Sequence, residues 1–436
     1  MLVAQAMSAP ADLLVRNIGR LFTLAGPAPR TGAALREPAV REAAALSASA
    51  GRIIWIGSES DVSREVVLAA GAITVDAEGA AVVPGFVDAH THLAFAGDRD
   101  LEIQRRLAGA SYGEIAAAGG GIVTTVTATR AASRESLTAL ILQRLDEMLL
   151  CGTTTAEVKS GYGLETAAEI RSLEAIKGAA ALHPITVVPT FLGAHEVPVE
   201  HRANRSRYLD LLVEEMLPAV AAKGLAEFCD VFCEEGVFTV AESRRILVAA
   251  RERGLKLRVH ADELVHTGGA ELAAEMGASS ADHLVFVSDA GMKALAGSRC
   301  VAILLPSAAF YLRLPRFAPA RRLVEAGAPI ALASDVNPGG GLSPALPFAM
   351  ALGCFAMGLS LDEALAAVTI NPAFSLGRHQ NVGSLEVGKR ADLVVLRSER
   401  LLDLVRVGVP AIRLVVKDGR IAVRDGRRVA AGSAPS

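Results

Sequence analysis

The hydrophobic pattern divides the chain into two β-rich ends and a different middle. Between residue 11 and about residue 80, three short stretches alternate apolar and polar residues, with Gly and Asp at the breaks. The tail has the same character, and Lys417-Asp418-Gly419 between two apolar runs predicts a hairpin. We therefore expect both ends, residues 1–80 and 385–436, to form one small β domain around a separate domain at 81–384.

The middle of the chain repeats one unit, a short β-branched run followed by a longer helical stretch. Eight such runs occur, at residues 82–90, 153–159, 185–191, 228–233, 255–261, 279–284, 300–306 and 329–335. Eight such units in about 300 residues predict a (β/α)₈ barrel in the α/β class. A doubly wound open sheet is the alternative, but no G-x-G-x-x-G follows the first run. Gly119-Gly120-Gly121 is more typical of a mobile loop than of a phosphate cradle.

Composition narrows the class of protein. Hydrophobic residues make up 51% and charged residues 21%, which excludes disordered and fibrous chains. Because 44 basic residues face 47 acidic ones, we expect no nucleic-acid partner. No apolar run approaches the roughly 18 residues of a membrane-spanning helix, so we expect no membrane partner. Five scattered cysteines argue against a disulfide framework and favour a reducing compartment, hence a cytoplasmic protein.

Histidines and an aspartate end several of the predicted barrel strands. They are His90 and His92 after the first, His260 at the fifth, His283 at the sixth and Asp335 at the eighth. The carboxyl ends of barrel strands converge on one face, and histidines two apart on an extended chain point the same way. A third histidine and the aspartate would complete an N₃O donor set that suits Zn²⁺, with Fe²⁺ also feasible. We therefore predict a metal site at this face.

Other chemically suggestive residues have simpler interpretations. His195, just past the third run, faces the same mouth and is a candidate substrate contact. His183 lies in a polar segment, so we expect it at the surface. Cys229 and Cys233 would share one face of a strand but lack a second pair of ligands, so we expect them in the core.

These motifs resemble a known family. P-G-F-V-D-A-H-T-H-L, with the later strand-end residues, is similar to the amidohydrolase superfamily of metal-dependent hydrolases. G-A-S-Y-G-E-I-A-A-A-G-G-G-I (109–122), K-S-G-Y-G-L-E (159–165) and S-D-V-N-P-G-G-G (334–341) resemble, more narrowly, the imidazolonepropionase family. The resemblance implies a distorted (β/α)₈ barrel, a small β-sandwich built from both termini, and a homodimer.

The resemblance also implies a metal centre. One Zn²⁺ or Fe ion per subunit would be held by His90, His92, His260 and Asp335. Dinuclear relatives carry a bridging lysine at the end of the fourth strand, where this chain has F-C-E-E-G and no lysine, so we predict a single ion. Lys159, which ends the second strand instead, is expected to have a structural or electrostatic role.

The implied reaction opens a cyclic amide: 4-imidazolone-5-propanoate is hydrolysed to N-formimidoyl-L-glutamate in histidine degradation. In this interpretation Asp335 accepts a proton from water, His283 helps to stabilise the oxyanion, and Glu263 delivers a proton to the departing ring nitrogen. Which of the two carboxylates takes the first proton stays open.

The substrate carboxylate requires a cationic partner, and Arg99 after the first strand is suited to it. The substrate contacts that the resemblance implies are Arg99, Tyr162, His195, Glu263, Asn337, Gly339 and Gly340. Many family members have Thr or Ser at the last of these positions, so a backbone N–H of Gly340 would replace a hydroxyl contact.

Two alternative functions remain, another amidohydrolase and a non-catalytic protein. A deaminase of purines or pyrimidines would share the metal residues, but Arg99 and Tyr162 favour a small anionic imidazolone over a neutral base. A non-catalytic scaffold with the same fold would be expected to have lost metal ligands, and none of the four is missing.

Overall fold

The computed structural model of the protein describes residues 9–109 and 121–429. The predicted loop glycines Gly119 and Gly120, and most of the 109–122 motif, lie outside these residues. Within the described ranges, no helix is both long enough and apolar enough to cross a membrane.

Seventeen strands and fifteen α-helices are described. The strands are β1 Ala11–Phe22, β2 Val40–Ser49, β3 Arg52–Ser58, β4 Leu68–Asp76, β5 Ala81–Pro84, β6 Phe86–Asp88, β7 Thr153–Lys159, β8 Thr186–Ala194, β9 Phe228–Cys233, β10 Lys256–Ala261, β11 Ser280–His283, β12 Val301–Leu304, β13 Ile330–Leu332, β14 Leu393–Leu396, β15 Ile412–Lys417, β16 Arg420–Arg424 and β17 Arg427–Arg428. The α-helices are Val62–Glu65, Asp100–Leu107, Ile122–Ala131, Arg134–Leu150, Thr166–Leu182, Arg205–Leu211, Leu217–Ala222, Val240–Glu252, Gly269–Glu275, Asp289–Ala296, Pro306–Tyr311, Ala320–Ala326, Leu346–Phe355, Leu361–Ala367 and Ile370–Ser375. Short 3₁₀ turns occupy Gly32–Arg36, Glu59–Asp61, Val199–His201 and Leu401–Val405, and a π-turn occupies Leu212–Met216.

The two ends of the chain share one sheet. Its strand order is β17-β16-β15-β14-β5-β1-β2-β3, with β4 paired to β1. The predicted hairpin joins β15 to β16, and its turn residues Asp418 and Gly419 have φ values of 49° and 72°. Strand β2 was missing from the prediction, because its Ala-rich sequence has little β-branched character; antiparallel pairing to both β1 and β3 forms it.

Strands β6 to β13 form an eight-stranded sheet in chain order, and every described pairing in it is parallel. This confirms the predicted barrel with a small β domain from both termini. Helices alternate with these strands along the chain, as expected. One predicted helix, Val240–Glu252, begins with a capping box of Thr239 and Glu242, and Gly254, with φ of 80°, follows its end.

The first predicted barrel strand, residues 82–90, is in fact two strands. Strand β5 pairs with β1 and β14 in the terminal sheet, whereas β6 pairs with β7 in the barrel. Gly85 separates them, and a Cβ there would lie only 2.4 Å from Thr154 Oγ1. An uninterrupted apolar run could not reveal this crossing, because both strands are buried.

The barrel is completed by loop hydrogen bonds between its first and last strands. No ladder pairs β6 with β13 among the described residues. Instead the N–H of His92 donates to Val336 O (2.8 Å), the N–H of Asp335 donates to His90 O (3.1 Å), and the N–H of Ser334 donates to Asp88 Oδ1 (3.2 Å). We call this contact the barrel seam.

Two expectations about side-chain burial had different outcomes. Cys229 and Cys233 are fully buried, as predicted. His183 is buried rather than exposed, which corrects the prediction. Its Nε2 lies 2.9 Å from Asp146 Oδ1, and its Nδ1 accepts the N–H of Ile185, so a local hydrogen-bond network holds it inside.

A buried asparagine ties the barrel to the N-terminal part of the chain. Asn371 Oδ1 accepts the N–H of Arg30 (2.8 Å), and its Nδ2 donates to Arg30 O (2.9 Å) and Ile330 O (2.8 Å). Because Ile330 begins β13, this one side chain joins the last barrel strand to a segment near β1.

We expect Asn371→Ala to lower the free energy of unfolding by about 2–4 kcal/mol, since buried backbone groups of Arg30 and Ile330 would lose their partner. Urea unfolding followed by circular dichroism measures this. Gln380→Ala is the matched control; it is exposed, and we expect a change within about 0.5 kcal/mol. Equal stability of the two variants would contradict a structural role for Asn371.

Candidate active site

The four predicted metal ligands lie close together at the carboxyl ends of the barrel strands. The Nε2 atoms of His90 and His92 are 3.2 Å apart, and those of His92 and His260 are 3.4 Å apart. Asp335 Oδ1 lies 3.5 Å from His90 Nε2 and 3.4 Å from His92 Nε2. Ligand atoms around a tetrahedral Zn²⁺ at its usual bond lengths are about 3.3–3.6 Å apart. These four distances match the spacing of donors around such an ion, and one ligand atom each of His90, His92 and Asp335 lie within 4.8 Å of one another.

Burial sets the charge state of this cluster. It lowers the pKa of His90 and of His92 well below the usual value, so both rings are neutral, which is the form that binds a metal. Burial also raises the pKa of Asp335 to about 7. Its Oδ1 is buried without a hydrogen-bond partner among the protein atoms described. A buried, unpartnered carboxylate oxygen beside imidazole nitrogens is the environment that a cation would complete.

Local structure aims each ligand at the cluster. His90 and His92 follow β6 in an extended segment, and His260 lies within β10. Asp335 does not end a strand as predicted, because β13 stops at Leu332 and Asp335 lies in the loop beyond it with φ of 54°. A Cβ at Gly341 would lie 1.5 Å from the carbonyl oxygen of Asp335, so the loop can fold back here only with glycine.

His283 and Glu263 lie beside the proposed ligands. His283 Nδ1 is 3.4 Å from Glu263 Oε1. One ligand atom each of His90, His260 and His283 lie within 4.8 Å of one another, so His283 is close enough to share the centre. Burial lowers the pKa of His283 and raises that of Glu263, which favours the neutral form of both groups. Glu234, absent from the prediction, fixes this loop by accepting the N–H of Glu263 (3.0 Å).

One pocket opens over the cluster and contains all the predicted substrate contacts. Its lining includes Arg99, Tyr162, His195, Glu263, Asn337, Gly339 and Gly340. His195 stacks on His92 with ring centroids 5.0 Å apart, and its Nδ1 lies 2.9 Å from Gly161 O. Burial lowers the pKa of His195 to about 3, so the ring faces the pocket uncharged.

Arg99 lies against a glycine of the opposite loop. Its Nε donates to Thr125 Oγ1 at 2.9 Å. A Cβ on Gly339 would lie 2.3 Å from Arg99 Nη1. The absence of a side chain at Gly339 therefore gives the guanidinium its place in the pocket.

The loop after β13 is held in shape by hydrogen bonds between the side chain of Asn337 and backbone groups of the same loop. Asn337 Oδ1 accepts the N–H groups of Gly339 (2.8 Å) and Gly340 (2.7 Å), and its Nδ2 donates to Asp335 O (2.8 Å). The N–H of Gly340, expected to replace a hydroxyl contact to substrate, is thus already engaged by Asn337. The loop geometry could not be derived from the sequence.

A second arginine was missed by sequence reasoning. Arg106 Nη1 donates to Gly339 O (2.8 Å), and its Nη2 donates to Glu102 Oε1 (2.8 Å). Glu102 Oε2 accepts the N–H of Gly121 (2.9 Å). The signal available in the sequence was a Glu–Arg pair four residues apart, one turn after Arg99.

Known proteins are similar to this chain in sequence and in fold. The model of the amidohydrolase family matches residues 81–422. Imidazolonepropionase of Symbiobacterium thermophilum is 53% identical over 420 residues, covering 96% of this chain and 99% of that protein. Imidazolonepropionase of Herpetosiphon aurantiacus is 46% identical over 427 residues, covering 95% and 98%.

This chain belongs to the amidohydrolase family and, within it, to the imidazolonepropionases. Its fold extends to more distant proteins. A zinc-bound adenosine deaminase from Xanthomonas campestris has a TM-score of 0.68 at 18% identity, covering 97% of this chain and 95% of that one. A triazine hydrolase variant has a TM-score of 0.71 at 18% identity, covering 96% of each chain. At this identity the likeness shows the fold alone.

We expect His92→Ala to reduce the bound metal from about one ion per chain to a small fraction of that, because the variant loses an imidazole donor from the centre of the cluster, 3.2 Å from His90 Nε2 and 3.4 Å from His260 Nε2. Elemental analysis after dialysis against Zn²⁺ and then buffer measures the content. His195→Ala is the control, since His195 contacts the His92 ring but offers no atom to the cluster; this variant should keep its ion. Full metal content in His92→Ala would exclude His92 as a ligand.

Proposed function

We propose that the protein is a metal-dependent hydrolase that converts 4-imidazolone-5-propanoate to N-formimidoyl-L-glutamate. The observation that carries the proposal is the cluster of proposed donors, of which His92, His260 and Asp335 line a pocket whose wall also contains Arg99. Membership of the imidazolonepropionases supports the same substrate. A neutral purine or pyrimidine would give the guanidinium of Arg99 no anion to bind.

We propose one divalent ion, Zn²⁺ or Fe²⁺, held by His90, His92, His260 and Asp335. Zinc in the related adenosine deaminase supports this choice of class. When bound, such an ion supplies Lewis acidity and makes a neighbouring water acidic enough to lose a proton near neutral pH.

The side chains of the pocket orient the substrate. The planar guanidinium of Arg99 matches the propanoate carboxylate with two parallel N–H donors. Tyr162 and the uncharged His195 would lie beside the imidazolone ring, since both line the pocket next to His92. Asn337 and Gly339 complete the wall, with Asn337 holding the loop in which Gly339 contacts Arg99.

Hydrolysis adds water across the ring amide. The water oxygen bonds to the carbonyl carbon, the C–N bond to the ring nitrogen breaks, and that nitrogen takes up a proton. Asp335 and Glu263 are the carboxylates that could accept the proton of the water. If Glu263 accepts it, Glu263 passes that same proton to nitrogen. If Asp335 accepts it, Glu263 delivers the proton that burial favours on its carboxyl group, and Asp335 then returns a proton to Glu263. His283 lines the pocket and lies 3.4 Å from Glu263, so we propose that it donates a hydrogen bond to the developing oxyanion or orients the Glu263 carboxyl group.

The oligomeric state, the location in the cell and the domain division are also proposals. We propose a homodimer and a cytoplasmic location, which the family resemblance and the five free cysteines support. We also keep the domain division at 1–80, 81–384 and 385–436 as a proposal; strand β5, at residues 81–84, is shared with the terminal sheet.

The direct test is an assay with freshly prepared 4-imidazolone-5-propanoate, with mass spectrometry detecting N-formimidoyl-L-glutamate. We expect turnover that a chelator abolishes and Zn²⁺ or Fe²⁺ restores. Metal-loaded protein that leaves this compound unchanged would overturn the proposed substrate. Release of ammonia from a purine or pyrimidine would then favour a deaminase.

We expect Arg99→Ala to raise KM for the propanoate substrate by about 10–100-fold, the effect of losing a charged hydrogen-bond partner. Gly339→Ala should raise KM by several-fold, because its methyl group would displace the end of the Arg99 side chain rather than backbone. Steady-state kinetics measures both.

The matched control is Gly297→Ala, at an exposed helix end where the added Cβ makes only ordinary contacts. It should keep wild-type KM, and all three variants should keep their metal. An unchanged KM in Arg99→Ala would remove Arg99 from carboxylate binding.

A further inference from the structure

Five buried charged side chains lie behind the proposed metal ligands, inside the barrel. We propose that Asp282, Arg258, Glu157, Lys159 and Asp230 act together as positioning residues that set the affinity of the metal site by fixing His90 and His260. We call them the buried charge chain. The inference rests on the proposed metal site, and none of the five is itself a proposed ligand.

The two ends of the buried charge chain contact two different ligands. Asp282 Oδ2 lies 2.6 Å from His90 Nδ1, and Asp230 Oδ2 lies 3.1 Å from His260 Nδ1. Because an ionised carboxylate only accepts hydrogen bonds, the bond to Asp282 places the proton of His90 on Nδ1, and the nearby carboxylate of Asp230 favours the same tautomer of His260. The lone pair of each ring is then on Nε2, the atom that faces the donor cluster. The carboxylates thus select the tautomer and the ring orientation that bind a metal.

Charges alternate between these two ends. Arg258 Nη2 lies 3.3 Å from Asp282 Oδ2, and its Nε lies 3.8 Å from Glu157 Oε1. Lys159 Nζ lies 2.7 Å from Glu157 Oε1 and 2.8 Å from Asp230 Oδ2. All five side chains are fully buried. A continuous series of ion pairs therefore runs from His90, which follows β6, to His260 in β10.

The middle of the series also fixes the backbone between His90 and His92. Glu157 Oε2 accepts the N–H of Thr91 (3.1 Å), and Glu157 O accepts its hydroxyl (2.6 Å). The N–H of Lys159 donates to Thr91 O at 3.0 Å. Arg258 adds a hydrogen bond to Ala89 O (2.6 Å). The residues on either side of His90 are thus held by Glu157, Lys159 and Arg258.

A structural role alone does not account for this arrangement. Burying five charges is costly, and apolar side chains of similar volume often stabilise a core as well or better. The terminal sheet contains another buried ion pair, Lys417 with Asp392 at 2.8 Å, in which Lys417 also lies 3.2 Å from Asp418; neither of its carboxylates contacts a proposed ligand. The buried charge chain differs because both of its ends stop at the back of a ligand imidazole.

Asp282→Asn and Asp230→Asn test the inference, since each keeps the shape of the side chain and removes its charge. We expect each to weaken Zn²⁺ binding by about 10–100-fold, measured by competition with a chromophoric chelator. The double variant should lose less than the product of the two single losses, because both substitutions act on one coupled network.

Asp392→Asn is the matched control. It also removes one buried carboxylate from a lysine, so we expect a lower melting temperature of the metal-free protein and unchanged Zn²⁺ affinity. If Asp282→Asn or Asp230→Asn does not fold, Arg258→Lys tests the inference instead. The lysine keeps the positive charge but lacks the guanidinium that contacts both Ala89 O and Asp282. We expect this variant to bind Zn²⁺ several-fold more weakly.

The outcomes separate this inference from the proposed function. Wild-type protein that binds no stoichiometric metal would remove the metal site itself. Wild-type binding with unchanged affinity in Asp282→Asn and Asp230→Asn, or in Arg258→Lys if those fail to fold, would overturn the positioning role while leaving the site intact. A loss of affinity equal to that of Asp392→Asn would assign the five residues to stability alone.

Discussion

The barrel seam is the contact on which the candidate site depends. The first and last strands of the barrel meet through backbone hydrogen bonds of His92 with Val336 and of Asp335 with His90. Three of these four residues, His90, His92 and Asp335, are proposed ligands, and the fourth, Val336, follows Asp335 in the chain. Closing the barrel and assembling three of the four proposed ligands are therefore one structural event. Only His260 comes from a strand away from the seam.

Charge in the interior of this barrel is arranged in two layers. At the pocket floor burial favours neutral imidazoles, whose lone pairs are available to a cation. One layer deeper, the carboxylates of Asp230 and Asp282 are paired with Lys159 and Arg258, and these cations oppose the rise in pKa that burial causes. A low-dielectric interior makes each pairing strong and each unpaired charge costly. The two layers meet at the Nδ1 atoms of His90 and His260.

Loops after the barrel strands supply much of the pocket wall above the floor. The adenosine deaminase and the triazine hydrolase share the fold at 18% identity, so the barrel itself does not choose a substrate. In this chain an arginine follows the first barrel strand, and a glycine in the loop after the last strand leaves room for its guanidinium. Arg106 and Glu102 connect that loop to the segment at Gly121. The anionic end of a substrate would thus be recognised where the loops of the seam strands meet.

Local patterns in the sequence were enough to predict the alternation of strands and helices, the hairpin at Asp418-Gly419, and the residue types near the strand ends. These follow from local periodicity and turn chemistry, which act over a few residues. Other features of the fold depend on long-range contacts, which local patterns do not contain. It split the run at Gly85 between two sheets, formed β2 by pairing on both sides, and buried His183 beside Asp146. It also brought Asp230 and Asp282 behind two ligand imidazoles and turned the N–H of Gly340 onto Asn337. Such contacts join residues far apart in the chain or depend on the path of one loop. They stabilise the protein only after the chain has folded, so local sequence patterns do not reveal them.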